Sequence, residues 1–142
     1  MALDGVAQTT AADGFCYNEM IVNLPFSCHA KPRKVLLIGG GTGGAAKEVL
    51  KTSDVEKLTI CEIDMVVIEV ARKYFPEDAK IYDDPRVELI IEDGSKYIKE
   101  QNEQFDVILS DSPDPIGPGT TLFVEEYYKD VQKALKNDGL AC

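Results

Sequence analysis

Residues 34–44 decide the fold of this chain, and they read Lys34-Val35-Leu36-Leu37-Ile38-Gly39-Gly40-Gly41-Thr42-Gly43-Gly44. An apolar run breaks there into a glycine loop and then resumes with the spacing of a helix, which is how a parallel sheet builds a nucleotide site. Gly39, Gly41 and Gly44 satisfy the pattern G-x-G-x-x-G. That pattern provides a tight turn, a surface free of side chains and a helix N-terminus with about half a positive charge.

Acidic residues end three later apolar runs. Glu62 follows residues 58–61, Asp93 comes shortly after residues 87–91, and Asp111 follows residues 105–110. The carboxyl ends of the strands in a doubly wound sheet face one crevice, so we expect these carboxylates to converge there.

The apolar periodicity predicts alternating strands and helices. Strands are predicted over residues 35–38, 58–63, 87–91 and 107–110, and helices over residues 44–50, 66–74, 95–99 and 124–135. Asn137-Asp138-Gly139 indicates a helix stop, followed by a would-be fifth strand over residues 140–142. We therefore expect an α/β, Rossmann-like core over residues 31–142, a parallel sheet with flanking helices that is truncated after the fourth strand and its helix.

Residues 1–30 are predicted to form a separate N-terminal segment. Residues 3–10 are typical of extended chain with a turn at Asp4-Gly5, and residues 17–24 of a short amphipathic helix ending before Pro25. We expect this segment to pack on the main sheet or on another subunit. An uncovered fourth-strand edge could also pair with another chain, which favours a homodimer.

Composition and charge exclude several classes of function. The 142 residues carry 15 Lys and Arg against 25 Asp and Glu, a net charge of -10 that argues against nucleic-acid binding. No apolar run is long enough to span a bilayer, and the first residues lack the features of a signal peptide, so we expect a cytoplasmic protein without membrane contact. The four cysteines form no C-x-x-C pair and there is one histidine, so no metal site is predicted.

Several further motifs resemble, in order and spacing, those of the polyamine aminopropyltransferase family, spermidine synthase above all. The residues that carry this resemblance are Leu3-Asp4-Gly5-Val6, Gln8-Thr9, Tyr17-Asn18-Glu19-Met20, the glycine loop, Cys61-Glu62-Ile63-Asp64, Asp93-Gly94, Asp111-Ser112-Pro113-Asp114-Pro115, Gly117-Pro118 and Leu122-Phe123. The resemblance implies the fold of S-adenosylmethionine-dependent transferases. Family members also have an N-terminal strand domain, of which residues 1–30 would be the remnant and linker.

The resemblance implies aminopropyl transfer from decarboxylated S-adenosylmethionine to a diamine such as putrescine, giving spermidine. By likeness, Asp111 would accept the amine proton, and Tyr17, Asp111 and Asp114 would bind the diamine. No tightly bound cofactor is implied, because the donor is a co-substrate. The resemblance also points to a dimer.

The donor-binding residues implied by the resemblance are Asn18, Gly39, Gly41, Thr42, Glu62, Asp93 and Gly94. Glu62 is expected at the ribose hydroxyls, and Asp93 with Gly94 at the adenine. Each acidic residue also has a structural interpretation: Asp93 could cap a helix, and Asp111 and Asp114 could stabilise a turn. Tyr17 could belong to the core.

Thr42 departs from the family pattern, which has aspartate at this position for the donor ammonium. Threonine cannot neutralise that charge, and its presence removes the repulsion that excludes the carboxylate of intact S-adenosylmethionine. An amine (putrescine) N-methyltransferase is therefore an alternative function, and a non-catalytic spermidine synthase paralogue or fragment is another. A nicotinamide-dependent dehydrogenase fits less well, because it leaves Asp111 and Asp114 unexplained.

Overall fold

The computed structural model describes residues 2–3, 5–10, 12–112, 115 and 117–142. The strands are β1 (Ala2–Leu3), β2 (Val6–Ala7), β3 (Lys34–Gly39), β4 (Lys57–Glu62), β5 (Val87–Ile91), β6 (Phe105–Asp111) and β7 (Leu135–Ala141). The helices are α1 (Gly14–Cys28), α2 (Gly44–Leu50), α3 (Met65–Tyr74), α4 (Pro76–Ala79), α5 (Gly94–Lys99) and α6 (Glu125–Ala134), with 3₁₀ helices at Lys80–Asp83 and Gly117–Phe123.

Strands β3 to β7 form one sheet in the order β5-β4-β3-β6-β7, and every neighbouring pair is parallel. The chain builds outward from β3 through β4 to β5, and then returns to the other side of β3 to add β6 and β7. The direction of winding therefore reverses between β3 and β6, and the carboxyl ends of these two strands border the crevice where doubly wound sheets bind ligands.

Alternate residues of β3 face opposite sides of the sheet, because side chains alternate along a strand. Val35 and Leu37 join one buried cluster with helices α1, α2 and α3, whereas Leu36 and Ile38 join a second cluster with α5 and α6. This arrangement explains why the apolar run of β3 is continuous, since both faces of the strand are buried.

The predicted strands and helices of residues 31–135 are found with shifts of one or two residues at their ends. The expected truncation after the fourth strand is wrong, because a full fifth strand, β7, covers the edge of β6. Asn137-Asp138-Gly139 does not stop a helix. These residues lie between Leu135, which pairs with Phe105, and Leu140, which pairs with Val107, so they form an irregularity within the edge strand.

The predicted end of the N-terminal helix is also wrong. Helix α1 continues through Pro25 to Cys28, although proline lacks the N–H of a normal helical bond. Pro25 is buried, and Ile21, Val22 and Phe26 pack in the core, so burial outweighs the lost bond. Asp4 of the predicted turn lies outside the described residues, and β1 and β2 pair antiparallel on either side of it. The division at residue 30 stays a prediction.

None of the helices in the described part of the chain combines the length and the apolar character that a bilayer crossing requires.

Asp106 ties together the starts of three strands. Its carboxylate is buried and accepts the backbone N–H groups of Arg33 and Lys34, at 2.9 and 2.7 Å, and the ammonium of Lys136 at 2.6 Å. Burial acts to raise the pKa of Asp106, but the hydrogen bonds from Lys136, Lys34 and Arg33 outweigh it and lower that pKa.

We expect Asp106→Ala to lower the free energy of unfolding by about 3 kcal/mol, because it leaves buried donors without their charged acceptor. Urea unfolding measures this loss. Glu56→Ala is the control, since it removes an exposed pair with Arg33 and should cost less than about 1 kcal/mol.

The loss of unfolding free energy in Asp106→Ala should depend on pH. The folded-state pKa of Asp106 is lowered, so its contribution is present above the unfolded pKa and is lost as pH falls through the folded pKa. The gap between wild type and Asp106→Ala should therefore narrow in acid. A gap that stays constant with pH would contradict this account.

Candidate functional site

The glycine loop after β3 lies against the end of β6. Gly39 pairs with Asp111 in the parallel register, and a β-carbon at Gly39 would collide with the backbone carbonyl oxygen of Asp111. Gly39 and Gly40 have φ angles of 82° and 76°, which disfavour other residues. Glycine is therefore required here both by the contact and by the backbone conformation.

Two carboxylates border this loop. A β-carbon at Gly40 would lie 3.3 Å from Oδ2 of Asp111, and one at Gly41 would lie 2.6 Å from Oε2 of Glu62. The absence of side chains at the two glycines leaves room for both acids beside the loop. Of the three carboxylates that were predicted to converge, Glu62 and Asp111 therefore lie beside the same loop.

Asp111 accepts a hydrogen bond from the hydroxyl of Tyr17, with 2.9 Å between the phenolic oxygen and Oδ1. Burial raises the pKa of the Asp111 carboxyl group, and the Tyr17 hydrogen bond opposes that rise only in part. Burial and the adjacent Asp111 carboxylate raise the pKa of the Tyr17 hydroxyl, so Tyr17 remains a donor. Tyr17 is 52% exposed, so this pair is open to solvent on one side.

Glu62 is only 7% exposed at the end of β4. Its Oε1 accepts the backbone N–H of Asp64 at 3.2 Å. Burial raises the pKa of Glu62, the N–H groups of Asp64 and Ile63 oppose that rise, and the Asp111 carboxylate adds to it. The mutual repulsion of Glu62 and Asp111 makes this crevice favourable for a cation.

Asp93 and Gly94 lie at the end of the next strand, where the N–H of Glu92 bonds to the carbonyl of Glu62 at 3.0 Å. Asp93 caps α5, since its Oδ1 accepts from the N–H and the hydroxyl of Ser95 at 2.9 and 2.8 Å. Its Oδ2 has no hydrogen-bond partner within the described chain. Asp93 thus caps α5, as its position before a helix allowed.

Thr42 and Asn18 are brought together on another side of the glycine loop. They line a cleft of about 200 Å³ with Lys47 and Asp78, and the amide of Asn18 fills the space where a β-carbon at Gly44 would be. The cleft is lined by neither Glu62 nor Asp111. This cleft therefore brings Asn18 and Thr42 together, but not the two carboxylates that border the loop. Asp114, predicted to bind the diamine, lies outside the described residues.

Two tyrosines that the sequence analysis did not name make hydrogen-bond contacts beside this site. Tyr82 donates to the carbonyl of Gly41 at 2.7 Å, and the hydroxyl of Tyr127 lies 2.6 Å from the hydroxyl of Ser110, beside Asp111. Tyr127 is buried with α5 and α6 in the second cluster, and its contact with Ser110 joins residues that are 17 positions apart, so no local sequence pattern indicated it. Tyr82 lies in a 3₁₀ helix that lacks a periodic pattern, so no sequence signal indicated it.

The parallel sheet and its flanking helices form the Rossmann-like fold of S-adenosylmethionine-dependent transferases, with the strand-end acids Glu62 and Asp111 beside the glycine loop. Residues 14–142 match the family model described as the spermine/spermidine synthase domain. The chain belongs to the spermine/spermidine synthase family.

The chain is similar to the polyamine aminopropyltransferase of Thermoanaerobacter sp. (strain X514), with 48% identity over 140 residues that cover 99% of this chain and 50% of that relative. Its fold matches a spermidine synthase solved in complex with the transition state analogue AdoDATO, with a TM-score of 0.96 and 48% identity over 99% of this chain and 48% of that one. The spermidine synthase of Thermotoga maritima gives a TM-score of 0.90 and 46% identity over 99% and 46% of the two chains. The chain spans about half the length of the curated relatives it matches.

We expect Asp111→Asn to raise the melting temperature near neutral pH, because it removes a partly buried charge while keeping an oxygen that can accept from Tyr17. The folded-state pKa of Asp111 is raised, so its ionisation costs stability as pH rises from the unfolded pKa through the folded pKa. The advantage of the variant should therefore disappear in acid. Calorimetric melting at several pH values measures it, and a variant less stable than wild type near neutral pH would contradict the proposed electrostatics.

Proposed function

We propose that this chain transfers an aminopropyl group from decarboxylated S-adenosylmethionine to a diamine such as putrescine, giving spermidine. The observation that carries the proposal is the partly buried Asp111 carboxylate, bonded to Tyr17 at 2.9 Å and bordering the glycine loop opposite Glu62. This pair offers a base and an orienting donor at the point where a parallel sheet binds a nucleoside.

The reaction is a displacement at a carbon attached to a sulfonium. The amine nitrogen forms a bond to the propyl carbon, the carbon–sulfur bond breaks with its electron pair passing to sulfur, and 5′-methylthioadenosine leaves as a neutral thioether. Because the sulfonium is already a good leaving group, the protein mainly has to align the amine behind the carbon. Such alignment can contribute about 7–11 kcal/mol.

Asp111 is proposed as the acceptor of the amine proton. A general base works best when its pKa lies near the working pH, and burial moves the pKa of Asp111 in that direction. Tyr17 would keep the carboxylate oriented and, with Asp111 and Asp114, would bind the diamine. The negative charge shared by Asp111 and Glu62 would attract a dication to this crevice.

The donor is proposed to lie across the strand ends around the loop. Glu62 would accept the ribose hydroxyls through Oε2, which faces Gly41. The remaining oxygen of Asp93, with Gly94, would bind the adenine. Gly39 and Gly41 would allow the donor to approach the backbone, and Asn18 and Thr42 would contact its amino-terminal tail from the neighbouring cleft.

Thr42 supports a second candidate function, methyl transfer to an amine from intact S-adenosylmethionine. Its hydroxyl lies 3.5 Å from the N–H of Gly44, and it brings no negative charge to the cleft. The tail of decarboxylated S-adenosylmethionine carries only an ammonium, which gains no ion pair from a neutral residue at this position. The tail of intact S-adenosylmethionine also carries a carboxylate, which a neutral residue does not repel. Lys47 lines the same cleft, where its ammonium is paired with Asp78 at 2.8 Å.

We also propose a cytoplasmic homodimer. The covered edge of β6 removes one argument for pairing between chains, so the proposal rests on family likeness and on the exposed apolar side chains of Phe15, Met20 and Leu24 along α1. Exposed apolar groups on one helix are typical of contact surfaces.

We expect Asp111→Asn to lower turnover about a thousandfold, because a general base commonly contributes about 10²–10⁴ in rate. Binding of 5′-methylthioadenosine, measured by calorimetry, should remain. Asp54→Asn is the matched control, since that carboxylate is exposed and pairs only weakly with Lys31 at 3.9 Å. An unchanged rate in Asp111→Asn would assign the proton transfer to another group.

Thr42→Asp tests the donor. The added carboxylate should raise kcat/KM for decarboxylated S-adenosylmethionine about thirtyfold, equivalent to one charged hydrogen bond of about 2 kcal/mol, and should weaken binding of the intact form. Thr42→Asn is the control for shape, because it adds similar bulk without charge.

The products formed from labelled putrescine with each donor distinguish the candidate functions. Spermidine formed from the decarboxylated donor supports aminopropyl transfer, and a methylated amine formed from the intact donor supports methyl transfer. No product with either donor would reject both enzymatic proposals and leave a non-catalytic paralogue.

A further inference from the structure

We propose that Tyr82 is a positioning residue for donor binding, which orients the peptide between Gly41 and Thr42. Tyr82 is 8% exposed, and its hydroxyl donates to the carbonyl of Gly41 at 2.7 Å. The identity of the ligand as an S-adenosyl compound rests on the proposed function. The role of Tyr82 in fixing the loop rests on geometry alone.

The glycine loop has few other restraints. Within the described residues, its internal bonds are a turn bond from the N–H of Gly43 to the carbonyl of Gly40 at 2.9 Å and a long contact from the N–H of Gly44 to the Thr42 hydroxyl at 3.5 Å. The carbonyl of Gly43 also accepts the N–H of Lys47, from the first turn of α2, at 2.9 Å. Glycines lose more backbone entropy on ordering than any other residue. A buried hydrogen bond from outside the loop therefore has a large share in fixing its conformation.

The direction of the Gly41 carbonyl determines the direction of the next N–H. The peptide bonds of the described chain are trans, so the N–H of Thr42 points away from the carbonyl that Tyr82 holds. This N–H has no hydrogen-bond partner among the residues that the structure describes. Tyr82 thus keeps an unpaired backbone donor directed away from itself, as loops that bind ligand oxygens require.

Tyr82 also acts on the acid beside the loop. Glu62 Oε2 lies against Gly41, so a shift of Gly41 would change the space in front of that carboxylate. Glu62 also lies close enough to affect Tyr82. Burial makes the largest contribution to raising the pKa of the Tyr82 hydroxyl, and the Glu62 carboxylate raises it further. Tyr82 therefore remains a donor to the carbonyl of Gly41.

The side of the Tyr82 ring that faces the surface contacts Arg72. The guanidinium of Arg72 lies 5.6 Å from the ring centroid, and Asp83 holds that guanidinium with contacts of 2.9 and 3.3 Å. Tyr82→Phe keeps the ring and its contact with Arg72 but removes the hydroxyl. This substitution therefore isolates the hydrogen bond to the loop.

Amide hydrogen exchange and ligand binding together test the proposal. In Tyr82→Phe, the amides of residues 40–43 should exchange about tenfold faster, and 5′-methylthioadenosine should bind about tenfold more weakly by calorimetry. The KM for the donor should rise while the KM for putrescine stays unchanged. Tyr97→Phe is the matched control, because Tyr97 is partly buried on the opposite face of the sheet and should change none of these values.

Loop exchange and binding within twofold of wild type in a folded Tyr82→Phe would overturn the inference. If wild type does not bind 5′-methylthioadenosine but the variant loosens the loop, the proposed function fails and the role of Tyr82 in the loop stands. Should Tyr82→Phe not fold, Arg72→Met provides the same test from the exposed side of the ring. It should speed exchange of the same amides by more than twofold, and exchange within twofold of wild type would overturn the proposal.

Discussion

The close approach of β3 to β6 at Gly39 and Asp111 is the constraint on which the rest of the site depends. The two residues are register partners, and no side chain fits at Gly39 because the carbonyl of Asp111 occupies that space. This contact allows the loop to turn directly beside a strand-end carboxylate. Any larger residue at Gly39 would push the two strands apart at the point where Tyr17, Asp111 and Glu62 approach one another.

Buried carboxylates have opposite effects on stability in different parts of this fold. Burial of Asp111 and Glu62 raises the pKa of both carboxyl groups, which costs stability but brings one of them toward the range useful for accepting a proton. Asp106, at the other end of β6, shows the reverse case: a buried carboxylate with three donors that strengthens the sheet. The same strand thus carries one acid that stabilises the fold and another whose ionisation is a cost to it.

The core could be predicted from the sequence because the apolar runs of β3, β4 and β6 are buried on both faces, and each ends in a glycine or an acid. The N-terminal helix and the C-terminal strand differ from their predictions. Pro25 remains inside α1 because its neighbours are buried, and Asn137-Asp138-Gly139 bulges within β7 because long-range pairing with β6 overrides a local stop signal. The contacts of Tyr17 and Tyr82 depend on residues far apart in the chain, so neither local spacing nor propensity could reveal them.

The bond between Tyr17 and Asp111 joins residues 94 positions apart. Closing so long a segment of chain is entropically costly and slow compared with forming a helix or a local turn. Helix α1 must dock on a largely assembled sheet before this bond can form. The pair formed by Tyr17 and Asp111 is therefore expected to form late in folding, after β3 and β6 have paired, and the Tyr17 hydroxyl reports on completion of the native topology.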